Sequence, residues 1–310
     1  MPTSIRFSKL QGAGNDFVFI QDFNDELDIT PSEVISICDR HFGVGADGVI
    51  VVKPPENPDN AGFMHYINSD GTIAQMCGNG VRCFAKFVVD NKLAIPDENG
   101  CVVVETRAGD KPVRVLFGEE GFVEKAVVDM GKPILEPDLI PALLQEDSET
   151  QDGARFIGHA SIDSPFGSFD FACVSMGNPH AICFVDDWDA LDDSLFKSDE
   201  KSLDTFDLDK VGAYFESCDS FPEKANIEFA ELGDNGISMR VFERGCGETL
   251  ACGTGACATA VAAFLTGRAS NSSDLVLKGG VLHIDFDELT NTVFMTGPAE
   301  FVFRGKLSLS

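Results

Sequence analysis

Basic side chains are scarce in this sequence: 23 lysines and arginines stand against 51 aspartates and glutamates, for a formal net charge of −28. A protein that grips a phosphate backbone needs a positive footprint, so no nucleic-acid partner is expected. Adhesion to anionic membranes is disfavoured for the same reason. Long apolar runs are lacking too. No stretch approaches the roughly 18 uninterrupted apolar residues of a membrane span. The opening MPTSIRFSKLQGAGNDF has no apolar core of a secretory signal. The expectation is a soluble, cytoplasmic protein. In that reducing setting the ten cysteines are expected as thiols, not as a disulfide framework, and most as small buried hydrophobes, Cys101, Cys173 and Cys183 among them. The acid excess gathers around 145–152 and 186–210, where it reads as solvated surface that names no substrate.

What is present is apolar content, at 44% of 310 residues, sufficient for one large domain or two ordinary ones. Short β-branched or aromatic runs bounded by Gly, Pro, Asp or Asn predict strands at 5–10, 17–20, 49–52, 101–106, 113–117 and 123–130. A second series is predicted at 169–176, 181–185, 226–232, 237–243, 281–286 and 292–295, with a last strand-like segment at 301–307. Thr30-Pro31-Ser32-Glu33 predicts a helix start. Two longer apolar helices are predicted from Cys77 and from Cys252. The polar stretches 137–161 and 187–224 read as irregular surface insertions.

The two long helix starts are one motif used twice. MHYINSDGTIAQMCGNG and MRVFERGCGETLACGTG align without gaps, placing Met64 over Met239 and Cys77 over Cys252. The repetition predicts two similar α+β halves that meet near 131–133. At the first turn of a helix, unpaired N–H groups and the helix dipole favour an anion, so a thiol there is expected to ionise more readily. Glycines that follow let the backbone approach a ligand closely and cradle a carboxylate. Two such corners can do what one cannot: a thiolate takes a proton from one face of an α-carbon while a thiol returns one to the other. A carboxylate held by the helix N-termini would be stabilised as it becomes enolate-like.

Rival chemistries fit less well. Zinc wants C-x-x-C pairs or nearby histidines, which neither helix start has, so no metal is expected. Gly253-Thr254-Gly255-Ala256-Cys257-Ala258 satisfies a dinucleotide fingerprint, but the acidic residue about 20 positions on is missing. Cys83 and Cys257, further along the same helices, are expected in the core.

These residues resemble the diaminopimelate epimerase family. GAGNDF (12–17), RHFGVGADG (40–48), NSDG (68–71), MCGNGVRC (76–83), MGNPH (176–180), Ala225-Asn226 and ERGCGETLACGTGA (243–256) recur in order along nearly the whole chain. The resemblance implies an α+β fold of two similar pseudo-symmetric domains, each a mainly antiparallel curved sheet or open barrel around a central helix. Residues 1–131, with 298–310 returning to them, would carry Cys77, and residues 132–297 would carry Cys252. It implies epimerisation of LL- and meso-diaminopimelate for lysine and peptidoglycan synthesis, with no cofactor and by a homodimer. Cys77 and Cys252 would be the acid/base pair. Gly78, Asn79, Gly253 and Thr254 would hold the reacting end. Asn15, Asn68, Asn178, Asn226, Glu243 and Arg244 would line the distal pocket. His180 and Glu243 would tune the thiols. The sequence departs from many relatives at Gly48, where they carry glutamine, and at Cys246, where alanine is usual. A racemase of another amino acid such as histidine, and a non-catalytic binding protein on the same fold, are the alternatives; retention of both cysteines weighs against the second.

Overall fold

The computed structural model describes residues 3–309. The chain divides into two compact units, Met1–Asp129 with Thr296–Ser310, and Met130–Met295. In the first lie strands β1 (Thr3–Gly12), β2 (Asn15–Gln21), β3 (Gly48–Lys53), β4 (Gly62–Asn68), β5 (Cys101–Thr106), β6 (Gly109–Phe117) and β7 (Val123–Gly131), with helices α1 (Pro31–Cys38) and α2 (Gly78–Asp90). The second contains two short strands, β8 (Ser148–Glu149) and β9 (Arg155–Phe156). It continues with β10 (Ala160–Ser164), β11 (Gly167–Ser175), β12 (Pro179–Phe184), β13 (Asn226–Gly233), β14 (Gly236–Glu243), β15 (Gly247–Thr249), β16 (Ser272–Leu277), β17 (Gly280–Asp287) and β18 (Thr292–Pro298). Its helices are α3 (Leu208–Glu216) and α4 (Gly253–Leu265), and the last strand, β19 (Glu300–Leu309), pairs antiparallel with β1.

Each unit is mainly antiparallel, with two parallel joins at matching places. In the first, β1–β2, β3–β4, β5–β6 and β6–β7 are antiparallel while β2–β3 and β4–β5 are parallel. In the second, β11–β12, β13–β14 and β16–β17 are antiparallel while β12–β13 and β14–β16 are parallel. The short parallel joins even share their register: Gly62↔Val104 and Phe63↔Glu105 in one, Ile237↔Leu275 and Ser238↔Val276 in the other.

Parallel neighbours cannot be joined by a hairpin; they need a crossover of a dozen or more residues. This overturns one expectation. The stretch 187–224 is no surface insertion but the crossover from β12 to β13, as the segment bearing α1 is from β2 to β3. Leu195, Leu203, Phe206, Leu208, Val211, Phe215 and Phe221 enter the core with Phe169, Phe171 and Phe229, while most of the segment's aspartates and lysines stay exposed. In α3 the buried residues are Leu208, Val211, Gly212, Phe215 and Glu216, the spacing of one helical face. Likewise 137–161 buries Ile140, Ala142, Phe156 and Ile157.

The long helices run through the cores. Every residue from Gly78 to Val88 of α2 is buried, and so are Gly253 and the run from Gly255 to Ala263 in α4. A helix buried on all sides must answer for its charges. Arg82 donates to Asn79 Oδ1 (2.9 Å) and to the Pro298 carbonyl (3.2 Å), and Lys86 to Asp90 (2.7 Å) and the Val123 carbonyl (2.5 Å). Both helices close alike. Leu93 N–H bonds the Val88 carbonyl and Arg268 N–H the Ala263 carbonyl, each at 2.8 Å, after a residue with positive φ: Lys92 (59°) in one, Gly267 (72°) in the other. Cys83, Cys173, Cys183 and Cys257 are buried, whereas Cys101, at the head of β5, is only partly covered.

Candidate active site

Cys77 is the N-cap of α2 and Cys252 the N-cap of α4. Each has extended backbone (φ −145°, ψ 118° and φ −117°, ψ 110°), and each sulfur accepts the N–H three residues on, from Gly80 at 3.5 Å and Gly255 at 3.4 Å. Serine or aspartate usually caps a helix this way; here the capping atom is a nucleophilic sulfur.

In the first unit Cys77 is half-buried and its thiol donates to Asn15 Oδ1 at 3.6 Å. Asn79 Nδ2 donates to the same oxygen at 3.2 Å, and Asn15 Nδ2 to Asp47 at 2.6 Å. Behind them Arg40 binds both Asp16 and Asp47 at 2.7 Å, and Lys9 binds Asp16 at 2.6 Å. Burial alone would raise the Asp16 carboxyl, but hydrogen bonds and charge from Arg40 and Lys9 bring it down to about 2. Asn68 sits in the turn after β4, with Nδ2 on Thr72 Oγ1 (3.0 Å). Gly48 is obligatory: a Cβ there would stand 2.5 Å from the Tyr66 ring and 2.6 Å from the Ile67 carbonyl. The space a glutamine would grow into is filled by Tyr66.

In the second unit Cys252 is 6% exposed and its sulfur lies 3.4 Å from Thr254 Oγ1. Glu243, at the end of β14, accepts from Thr249; burial nevertheless pushes its carboxyl up. His180 Nδ1 meets Glu228 Oε1 at 2.6 Å and Nε2 meets Asn178 Oδ1 at 3.2 Å, with the His180 and Glu228 side chains fully enclosed. Asn226 uses its amide on the backbone, Nδ2 on the Pro179 carbonyl (2.8 Å) and Oδ1 accepting Arg244 N–H (2.9 Å). The exposed Arg244 guanidinium reaches the Glu223 carbonyl at 3.3 Å. Cys246 is exposed in the turn between Glu243 and Gly247.

One expectation is reversed here. The helix N-terminus was to ease ionisation of the thiols, yet Cys252 is pushed well above an ordinary thiol, first by burial and then by the Glu243 and Glu228 carboxylates. The hydrogen bonds from Thr254 and Gly255 pull the other way and lose. Sequence reasoning also missed Glu228, Thr249, Asp47 and Arg82. Glu228 had a signal: it lies two residues after Asn226 on β13, hence on the same face, as an acid inside the otherwise apolar run IEFA. It also forbids a side chain on Gly255, whose Cβ would lie 2.6 Å from Glu228 Oε1.

Comparison with known proteins places these corners in context. The sequence model of the family described as Diaminopimelate epimerase matches residues 7–136 and 172–302. The chain is 44% identical to the diaminopimelate epimerase of Desulfovibrio desulfuricans, covering 99% of both proteins. It is 42% identical to that of Agathobacter rectalis (98% of this chain, all of the relative) and 38% to that of Methanococcus maripaludis (98% and 100%). Among solved structures, a hydroxyproline epimerase from Agrobacterium vitis (TM-score 0.68, 12% identity, 99% of this chain and 91% of that one) shares the fold. So does a probable proline racemase from Agrobacterium radiobacter (TM-score 0.67, 14% identity, 99% and 93%). With both cysteine corners, the full span and this level of identity in agreement, the chain belongs to the diaminopimelate epimerase family.

Proposed function

We propose that the protein interconverts LL- and meso-diaminopimelate, for lysine and peptidoglycan synthesis, with Cys77 and Cys252 as the two acid/base groups. The observation that carries this reading is the doubled cap: two cysteines, each with its sulfur on the N3 amide of a buried helix and followed by Gly-x-Gly. In one direction a thiolate accepts the α-proton while the opposite thiol donates its own to the other face; the reverse reaction exchanges the roles. One proton leaves carbon, one arrives, and no electrons are transferred. The carbanion formed between these steps is delocalised into the substrate carboxylate, for which Gly78, Asn79, Gly253 and Thr254 are the assigned donors.

Cys252 enters as the acid, because burial and two carboxylates oppose its ionisation. In the reverse direction Cys252, left as the thiolate by that donation, takes the α-proton and Cys77 donates; the Glu243 carboxyl, pushed up by burial, stands beside the Cys252 thiol. His180 is fixed by Glu228 and Asn178. Arg244 is assigned to the distal carboxylate, Asn15, Asn68, Asn178 and Asn226 to the distal amino-acid end. The reading assigns no cofactor, a homodimer as the working form and the cytoplasm as its place. Among the described residues no helix is long and apolar enough to cross a membrane.

The test is incubation with LL-diaminopimelate in deuterated water without added cofactor. Solvent deuterium at one α-carbon together with loss of stereochemical purity is the expected result. A substrate that keeps both its hydrogens and its configuration would end the proposal.

A further inference from the structure

Asparagine amides are ambiguous partners, since oxygen and nitrogen can be exchanged by a flip. Beside Cys77 the ambiguity is removed by two charged residues that cannot change roles. Arg82, fully buried, is donor-only, so Asn79 must turn Oδ1 toward its Nη2 at 2.9 Å. The Asn79 Nδ2 then faces Asn15, which must answer with Oδ1 at 3.2 Å. At the far end Asp47 is acceptor-only, so Asn15 must offer it Nδ2, at 2.6 Å. Asp47 is itself pinned: Arg40 holds one oxygen at 2.7 Å, and the Asp16 N–H holds the other at 3.0 Å. Every hydrogen bond from Arg82 to Asp47 therefore runs in one direction.

We propose that Asp47 is a positioning residue: by locking the Asn15 amide it makes Cys77 meet a carbonyl oxygen, which accepts the S–H, instead of an N–H that would stabilise the thiolate. The Gly80 N–H on the other side of the sulfur favours the anion. Asn15 opposes it.

The inference rests on the assignment of Cys77 to the acid/base pair, and its test reads the thiol without turnover. Cys77 alkylation by iodoacetamide is followed against pH, with the Cys77 peptide quantified by mass spectrometry. The proteins are the natural chain, Asp47→Asn, Asn15→Leu and the double variant, each checked for native circular dichroism. In Asp47→Asn the shorter of the two holds on Asn15 is lost, because the amide at 47 no longer has to accept; only the 3.2 Å contact from Asn79 Nδ2 then opposes a turn of Asn15 Nδ2 to the sulfur. The alkylation midpoint is then expected to fall by about one pH unit, the worth of a single hydrogen bond. With leucine at 15 only the direct field of the Asp47 charge remains, so the same substitution there must give a clearly smaller shift. Equal shifts in the two backgrounds, or none in either, overturn the proposal. Should Asp47→Asn lose its native spectrum, Asp47→Glu replaces it and must leave the natural midpoint; a midpoint that falls as if the carboxylate were gone overturns the proposal equally. An unaltered titration alongside normal deuterium incorporation would remove the lock and leave the assignment of Cys77 standing. A shifted titration without incorporation would do the converse.

Discussion

Gly48 and Tyr66 lie on the paired strands β3 and β4, and the absence of a side chain at 48 is what admits the Tyr66 ring. Tyr66 in turn stands edge-on to Phe17, with ring centroids 5.6 Å apart. Restoring the glutamine that many relatives carry, Gly48→Gln, should therefore overpack the site and lower stability by about 1–3 kcal/mol. Urea denaturation measures this, and Tyr66→Ala in the same chain should recover part of the loss. A neutral single substitution would mean that Tyr66 moves aside without cost.

Replacing either capping sulfur is expected to stop inversion while the fold persists, because serine caps a helix as well as cysteine does. Cys77→Ser and Cys252→Ser should each lower epimerisation by at least about 100-fold, the usual scale for losing a positioned acid or base. Their thermal midpoints should stay near that of the natural protein. Wild-type turnover in either variant would refute the two-thiol mechanism.

Acid should weaken the first unit through Asp16. Its folded value is depressed to about 2 by Arg40 and Lys9, which outweigh the opposing effect of burial. A depressed carboxylate contributes stability that is present above the unfolded value near 3.8 and is lost as pH falls through the folded value. Asp16→Asn should therefore destabilise by about 1–2 kcal/mol at pH 7, and by much less at pH 2. The comparison is of denaturation midpoints at the two pH values. A penalty independent of pH would assign the residue a purely steric role.

The crossover at 187–224 should behave as core. Phe215 is fully buried against Phe169 and Phe171, with centroids 5.5 and 4.9 Å away. Phe215→Ala is expected to cost about 3–5 kcal/mol, read from chemical denaturation. A loss below about 1 kcal/mol would return the segment to the status of a dispensable insertion.

The strands and the two cysteine corners were legible because their signals are local: alternation, bounding glycines, and a motif that aligns with itself. The crossover was not legible. Its apolar residues are spaced among aspartates and lysines, and only the parallel pairing of β12 with β13, a contact remote in sequence, requires the chain to return over the sheet. Glu228 and Asp47 were hidden differently. In a chain with 51 acids, residue type alone cannot mark the two that were turned inward or pinned. The protonation of Cys252 went astray because the helix N-terminus is visible in sequence, while the burial and paired carboxylates that overrule it arise only on folding.

The matched closures of α2 and α4 have a consequence of their own. The chain carries its own reference state: where the second copy spends a glycine on the left-handed residue, the first imposes that conformation on Lys92. The strain of that choice at Lys92 is about 1 kcal/mol. Comparing each position with its counterpart separates what the corner requires from what either copy merely tolerates.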